Sequence, residues 1–496
     1  MASLALAVSL LPTVALAEDT TDPQLFINTS GTVEGNVAVD DSVYAVMASG
    51  REEGATARAE VTGNVTNSTE HSKQVYGTVS EGRNGGTGQL VVNGDVTVAP
   101  ADEANPSATV RAVYQTVNDG AATAKVTGDV YARGARETTG ALVTAFGDAG
   151  STGTQTIVGD VTAVSTNVAG AGVSRTYAVD AQANDQASAR IAVVGNVTSK
   201  VDGANLSAAT GVGVYSDKES SSVVEIQGDV TADSAAEAWG ATVCSMGGTA
   251  RLYVAGDVTA TGATNGVGAL LESNNGGTPE LVVQGTLRGS TTGIEFSGGE
   301  GANYDVTVWK IEVDDGDALT RVDPDAHGIP ADAASQIKYI IKIEQPQAGG
   351  SLTALDGLKA GLAQSNGFDV AHAGDKVYLS IALEAGYHIS GAYNGLGEKV
   401  QLLLDEGGYY VIVPEGGGVY LTAELGKDEI PEAPTETPAS QAQASTAKAA
   451  PVAAHVAPAR VLPATGDAQS SVALYASAIA GGICLVLSRR RVAASR

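Results

Sequence analysis

Cysteine is nearly absent from this chain, with two residues, Cys244 and Cys484, in 496. That excludes the dense disulfide framework that stabilises many small exported domains. Histidine is scarce too. The five residues at 71, 327, 372, 388 and 455 form no His-x-His or Glu-x-x-His pair. A zinc site built from closely spaced ligands is not expected, and no other metal or cofactor is expected. Aromatic residues make up only 4%, too few for a bulky globular core. Positive charge is short as well: 28 Lys and Arg face 56 Asp and Glu, for a formal charge of −28. Nucleic acid is not an expected partner, because binding it needs a basic surface. No Gly-x-Ser-x-Gly nucleophile motif occurs, and Cys244 is followed by Ser245, so a Cys-Gln thioester is excluded.

Glycine is abundant, at 62 residues, and it recurs in a pattern. Gly followed by Asp or Asn and then Val appears at Gly35, Gly63, Gly94, Gly128, Gly159, Gly195, Gly228 and Gly256, with a decayed copy at Gly285-Thr286-Leu287. Intervals run from 28 to 36 residues. Apolar and polar residues alternate on both sides of each copy, as in Leu252-Tyr253-Val254-Ala255-Gly256-Asp257-Val258. Period two predicts strands. Gly with Asp or Asn predicts a tight corner between them. One such unit cannot bury its apolar face alone, whereas stacked units can. The expected fold is all-β: a parallel β-helix of about nine coils, roughly 40 Å long at the usual spacing between strands.

A small residue marks a second point in each coil: Ala45, Gly77, Ala112, Gly140, Ala178, Gly213, Gly240, Gly268 and Gly293. From it to the next Gly-Asp the chain takes 15 to 19 residues; from Gly-Asp to it, 8 to 19. Insertions therefore fall along one side of the rod. Such a strip is either a binding face or a run of relaxed solvent loops. The aligned Asp95, Asp129, Asp160, Asp229 and Asp257 raise the question of calcium, which needs several oxygens. The Gly-Gly-x-Gly-x-Asp nonapeptide is absent and Asn replaces Asp in three coils, so turn chemistry is the expected role. Tyr44, Tyr76, Tyr177 and Trp239 lie beside their small residues, placed either for corner packing or for stacking on sugar rings.

The two ends carry an address. Residues 4–17 are apolar and close in Ala15-Leu16-Ala17, the form of a signal peptide with a small-residue cleavage site. No Lys or Arg precedes the run, which places the expected start upstream of Met1. At the other end stand Leu462-Pro463-Ala464-Thr465-Gly466, an apolar run over 472–487, and the basic tail Arg489, Arg490, Arg491 and Arg496. The run's 16 residues are short for a permanent span, which needs about 20. The tail suits retention on the cytoplasmic side. Together these three parts resemble the LPXTG sorting signal of Gram-positive cell-wall surface proteins. The resemblance implies that a sortase cleaves between Thr465 and Gly466 and joins Thr465 to peptidoglycan. Removal of Cys484 would then leave Cys244, read as a small core residue, as the mature chain's one cysteine.

From Tyr304 the pattern changes. Trp309 is the expected cap residue on the open end of the solenoid, since terminal repeats are atypical. Ile337-Lys338-Tyr339-Ile340-Ile341-Lys342-Ile343, Gly374-Asp375-Lys376-Val377, Gly386-Tyr387, Val413-Pro414 and Val419-Tyr420-Leu421-Thr422-Ala423 follow in order. This series is similar to bacterial repeat modules related to internalin B repeats. It departs from them in having Val-Pro for Met-Pro and no Trp after Gly-Tyr. The likeness implies a β-grasp-like spacer or binding module and no enzyme. The expected organisation is a signal peptide over 1–17, β-helix over 18–303, cap and loop over 304–335 and the module over 336–426. A linker rich in Pro, Ala and Thr spans 427–461, and the sorting signal 462–496. Extended as polyproline II, the linker would reach roughly 100 Å.

The expected function is a wall-anchored surface protein, with sortase as a transient partner, peptidoglycan as a covalent one, and a host glycan or matrix protein as the ligand of an adhesin. A non-binding structural or shielding protein is the first alternative. A polysaccharide lyase or hydrolase is the second. No catalytic residue is assigned, because the acids form no Asp-Asp or Asp-x-Asp pattern in the coils beyond Asp40-Asp41.

Overall fold

The computed structural model describes residues 15–16, 20–69, 74–99, 109–134, 136–166, 175–202, 208–314, 318–323, 333–394 and 397–428. Among them the one regular element that is not a strand is the short 3-10 turn Ala333–Gln336. A typical coil has three strands: Glu137–Phe146, Thr152–Val158 and Val161–Thr166. We call the faces they build broad, middle and short. Each strand pairs in parallel with its counterparts one coil before and one coil after, as Glu137–Phe146 does with Thr109–Asn118 and Arg175–Ala183. The broad face stacks 11 strands, from Gln24–Ile27 to Ala318–Val322. The architecture is a parallel β-helix of about nine turns, as the repeats predict.

The Gly-Asp motif is the corner between the middle and short faces. Successive corners stack so closely that a Cβ on Gly159 would lie 2.3 Å from the Gly128 carbonyl oxygen, and one on Gly195 2.2 Å from that of Gly159. Only glycine fits there. The residue after it builds a ladder up the rod. The Asn64 N–H donates to Asn36 Oδ1 (2.8 Å), Asp95 to Asn64 (2.9 Å), Asp129 to Asp95 (2.9 Å) and Asp160 to Asp129 (2.9 Å). It continues through Asn196, Asp229 and Asp257 and ends at the Thr286 N–H on Asp257 Oδ1 (2.6 Å). Oδ1 is the atom that Asp and Asn share, so either residue serves and turn chemistry accounts for both.

The valine after the corner packs against the small landmark residue across the coil. A Cβ on Gly77 would lie 2.8 Å from Val96 Cγ1, on Gly140 2.6 Å from Val161 Cγ1, and on Gly240 2.6 Å from Val258 Cγ1. The two sequence landmarks are thus one contact, where the broad and short faces converge. One assignment changes. Gly211, whose Cβ would lie 2.4 Å from Val230 Cγ1, holds the landmark position instead of Gly213. The nearly constant arc then narrows to 16–19 residues.

Along the middle face the inward column reads Leu90, Ala124, Gln155, Ile191, Val224 and Leu252. Gln155 is fully buried, and neither of its amide atoms has a hydrogen-bond partner among the described residues. Desolvating an unsatisfied amide costs about 1–3 kcal/mol. Leucine has a similar volume and matches the column, so Gln155→Leu is expected to raise the thermal midpoint of the rod. A lower midpoint on calorimetry would show that the amide is satisfied.

The far end departs from the sequence-based reading. Coils continue past 304: Asp305–Val313 pairs with Glu280–Gly289, and Ile337–Ile340 pairs in parallel with Asp305–Val313. The last strand's edge is taken by Phe368–Ala371, antiparallel, whose hairpin partner is Ala363–Ser365. That hairpin, not Trp309, closes the sheet edge against further pairing. Trp309 instead lies on the side of the last coil, under the Lys342 ammonium (4.2 Å to the ring centroid), with its carbonyl accepting from the Gly418 N–H (2.9 Å). Beyond it, Lys342–Glu344, Tyr420–Lys427 and Tyr387–Asn394 form a three-stranded sheet. Gly350–Leu355, Lys376–Leu383, Gly408–Ile412 and Leu403–Asp405 form a four-stranded one.

Candidate functional site

Outward side chains on the broad face fall into columns at fixed offsets from the landmark residue. One column, the residue just before it, reads Tyr44, Tyr76, Arg111, Thr139, Tyr177, Thr210 and Trp239. The next, two residues after it, reads Met47, Val79, Tyr114, Leu142, Asp180, Gly213 and Thr242. Between Thr109–Asn118 and Glu237–Met246 this face holds a cleft of about 850 Å³. Its size lies within the range of about 300–1,000 Å³ usual for small-molecule sites.

The strands that follow the longest insertions line it. The three longest arcs, 94–112, 159–178 and 195–211, lead into Thr109–Asn118, Arg175–Ala183 and Ala208–Asp217. All three strands line the cleft. Its charged groups are Arg111, Arg136, Arg175, Glu137 and Asp180; its aromatics include Tyr114, Tyr177 and Tyr215. The Arg111 guanidinium donates to Glu137 Oε1 (3.0 Å) and sits 4.9 Å from the Tyr114 ring centroid. Its Nε has no hydrogen-bond partner among the described residues. The Tyr114 hydroxyl meets Thr144 Oγ1 at 3.2 Å. Tyr44, Tyr76 and Tyr114 stack up the rod with centroids 5.2 and 5.4 Å apart. That arrangement is closer to column packing than to an open sugar platform for Tyr76, which is 5% exposed.

Asp180 is the chemically distinctive group. It is 6% exposed and accepts one hydrogen bond from Gln182 Nε2 (2.5 Å). Burial pushes its carboxyl up to about 7, against the pull of the Gln182 bond and of Arg111. Gly213 leaves it room, since a Cβ there would lie 2.8 Å from Asp180 Oδ1. Burial also drives the neighbouring Tyr177 hydroxyl well above its usual range, with Asp180 adding to it, and raises Tyr215 to about 12.

Of the residues the sequence singled out, Tyr177 lines the cleft and Trp239 lies in the same column just beyond its lining. Sequence reasoning missed Arg111, Arg136, Glu137, Arg175, Asp180 and Gln182. The signal was the offset: counting three back, one back, two on and four on from Ala112, Gly140, Ala178 and Gly211 reaches most of the lining. Leu462, Pro463, Ala464, Thr465, Gly466, Arg489, Arg490 and Arg491 lie outside the described residues, as does the signal segment apart from Ala15–Leu16. No group of three or more His, Cys, Asp or Glu among the described residues could hold a metal ion. Compared with known proteins, the chain matches no family model, no curated protein and no solved structure.

Proposed function

We propose that this is an exported, sortase-anchored cell-wall protein of a Gram-positive bacterium, an adhesin whose β-helical rod binds its ligand in the broad-face cleft. One observation carries the binding half of this reading: the three longest insertions lead into three of the strands that line the cleft. Relaxed solvent loops have no reason to precede, in the sequence, three strands of one concavity. The anchoring half rests on the order of Leu462-Pro463-Ala464-Thr465-Gly466, apolar run and arginine tail. The region following the rod, read as a bacterial repeat module, and the Pro-rich linker would hold the rod away from the wall.

Thr465→Ala removes the residue to which peptidoglycan would be joined. The expected result is loss of the protein from the purified wall fraction and its appearance in the membrane or the medium, read by immunoblot. Unchanged wall attachment would refute the anchoring reading.

A second reading is favoured by one feature: two carboxyl groups, Glu137 and Asp180, line the same cleft. Paired carboxyls are the machinery of glycoside hydrolysis. New reducing ends or unsaturated products from a polysaccharide panel, lost in Asp180→Asn, would establish an enzyme in place of an adhesin.

A further inference from the structure

We infer that the cleft's ligand is an acidic oligosaccharide, a short glycan bearing carboxylate or sulfate groups on its sugar rings. This rests on the cleft being the binding site proposed above and goes on to name what it takes.

The first argument is charge. The whole chain carries −28, yet three arginines, Arg111, Arg136 and Arg175, open onto one cleft against Glu137 and a deeply buried Asp180. Glu137 is engaged by Arg111. The guanidinium groups of Arg136 and Arg175 have no ion-pair partner among the described residues. Guanidinium presents a planar fork of donors that matches carboxylate and sulfate oxygens. An acidic protein that gathers unengaged arginines in one concavity has built a local anion site.

The second argument is the rest of the lining. Tyr177 and Tyr215 contribute aromatic surface, and Thr109, Thr139 and Thr242 contribute hydroxyl groups. Flat aromatic surface combined with short polar groups suits a hydroxyl-rich ring.

The third argument is what the cleft cannot do. An acidic peptide binding by strand addition needs a free sheet edge. Here the strand Glu137–Phe146 is paired on both sides, as is Arg175–Ala183. A long nucleic acid would run from three arginines onto a strongly negative surface, where it gains nothing.

The test is titration calorimetry on the secreted chain with four acidic probes: a galacturonate tetramer, a hyaluronan tetrasaccharide, a heparin-derived tetrasaccharide and sialyllactose. Cellotetraose and maltotetraose serve as neutral controls, and an oligoglutamate as the acidic peptide. At least one acidic glycan is expected to bind, more weakly at high salt, with no binding of the neutral sugars. Arg136→Ala and Arg175→Ala are each expected to lower its affinity by about tenfold or more, the loss typical of a charge-assisted pair. Lys125→Ala, exposed on the middle face, is expected to leave it unchanged. Circular dichroism of each variant confirms the fold. Equal binding of neutral sugars, binding of the peptide alone, or insensitivity to both arginine variants overturns the inference. If the arginine variants lose glycan binding while bulky substitutions in the cleft abolish adhesion of the cells to a ligand-bearing surface, both readings stand. If adhesion is lost on blocking the cleft but no acidic glycan binds, the cleft reading survives and the ligand class falls.

Discussion

Asp180→Asn is expected to stabilise the rod by up to about 4 kcal/mol at pH 8 and to change little near pH 4. The reason is where the carboxyl sits. Asp180 is 6% exposed, and burial raises it from 3.8 to about 7. An unfolded chain loses this proton as pH rises through about 4, while the folded chain keeps it until about 7. In that window the folded state binds more protons than the unfolded one, so stability falls as pH rises. The contribution is fully present below about pH 4 and has been lost once pH exceeds the folded value. Asparagine stays neutral throughout, and its Oδ1 still accepts the bond that Gln182 donates to the carboxylate. Calorimetric midpoints of parent and variant between pH 4 and pH 8 read this directly. The gap should open steadily across the window. A gap that is constant with pH would show that the carboxyl is solvated in the folded state.

Gly159→Ala is expected to destabilise the rod by about 2–4 kcal/mol. Two penalties coincide at this corner. Its φ of +153° is strained for any residue with a Cβ, and the added methyl would lie 2.3 Å from the Gly128 carbonyl oxygen and 2.9 Å from Asp129 Oδ1. Backbone in the adjoining coil must move to admit it, and the corner is tied into the ladder above and below. Asp129→Asn is the matched control. It retains Oδ1 for the Asp160 N–H and removes one of three successive carboxylates, Asp95, Asp129 and Asp160, spaced by about 4.8 Å. Its midpoint in denaturant should match the parent or exceed it slightly. A Gly159→Ala protein with the parent's midpoint would show that the corners are not closely stacked.

Much of the rod was legible in the sequence because it is built from local rules repeated. Gly159-Asp160-Val161 and its copies mark corners, since left-handed or crowded backbone selects glycine wherever it occurs. Alternation in Thr152–Val158 marks a strand, since successive side chains on a strand point to opposite faces. The misplacement of the landmark at Gly213 has a physical cause. Gly211 and Gly213 are both small, but the first faces Val230 inside the coil and the second faces Asp180 outside it. Nothing local distinguishes them; only the partners that stacking brings to each, Val230 for Gly211 and Asp180 for Gly213, tell them apart. Trp309 misled for a similar reason: a large aromatic near the last repeat looks like a lid, yet the edge is closed by Phe368–Ala371, about 30 residues beyond the strand it covers.

The cleft was the least legible part. Arg111, Glu137, Arg175 and Asp180 are separated by 26 to 43 residues from their neighbours across coils, and loops of unequal length hide the register. Only stacking brings them together, and only burial gives Asp180 its altered proton affinity.

The sequence by itself determined the all-β repeat, the corner chemistry, the side of the rod where insertions fall and the motifs from which an extracellular address is proposed. These follow from backbone sterics and side-chain periodicity, which act over a few residues at a time. The tertiary structure alone decided that Asp and Asn act through one shared oxygen, that the valine of the corner motif and the small landmark residue form a single contact, and that three arginines in an acidic chain share one cleft. Those depend on distances between coils, which are set by sheet register and not by any neighbour in the sequence.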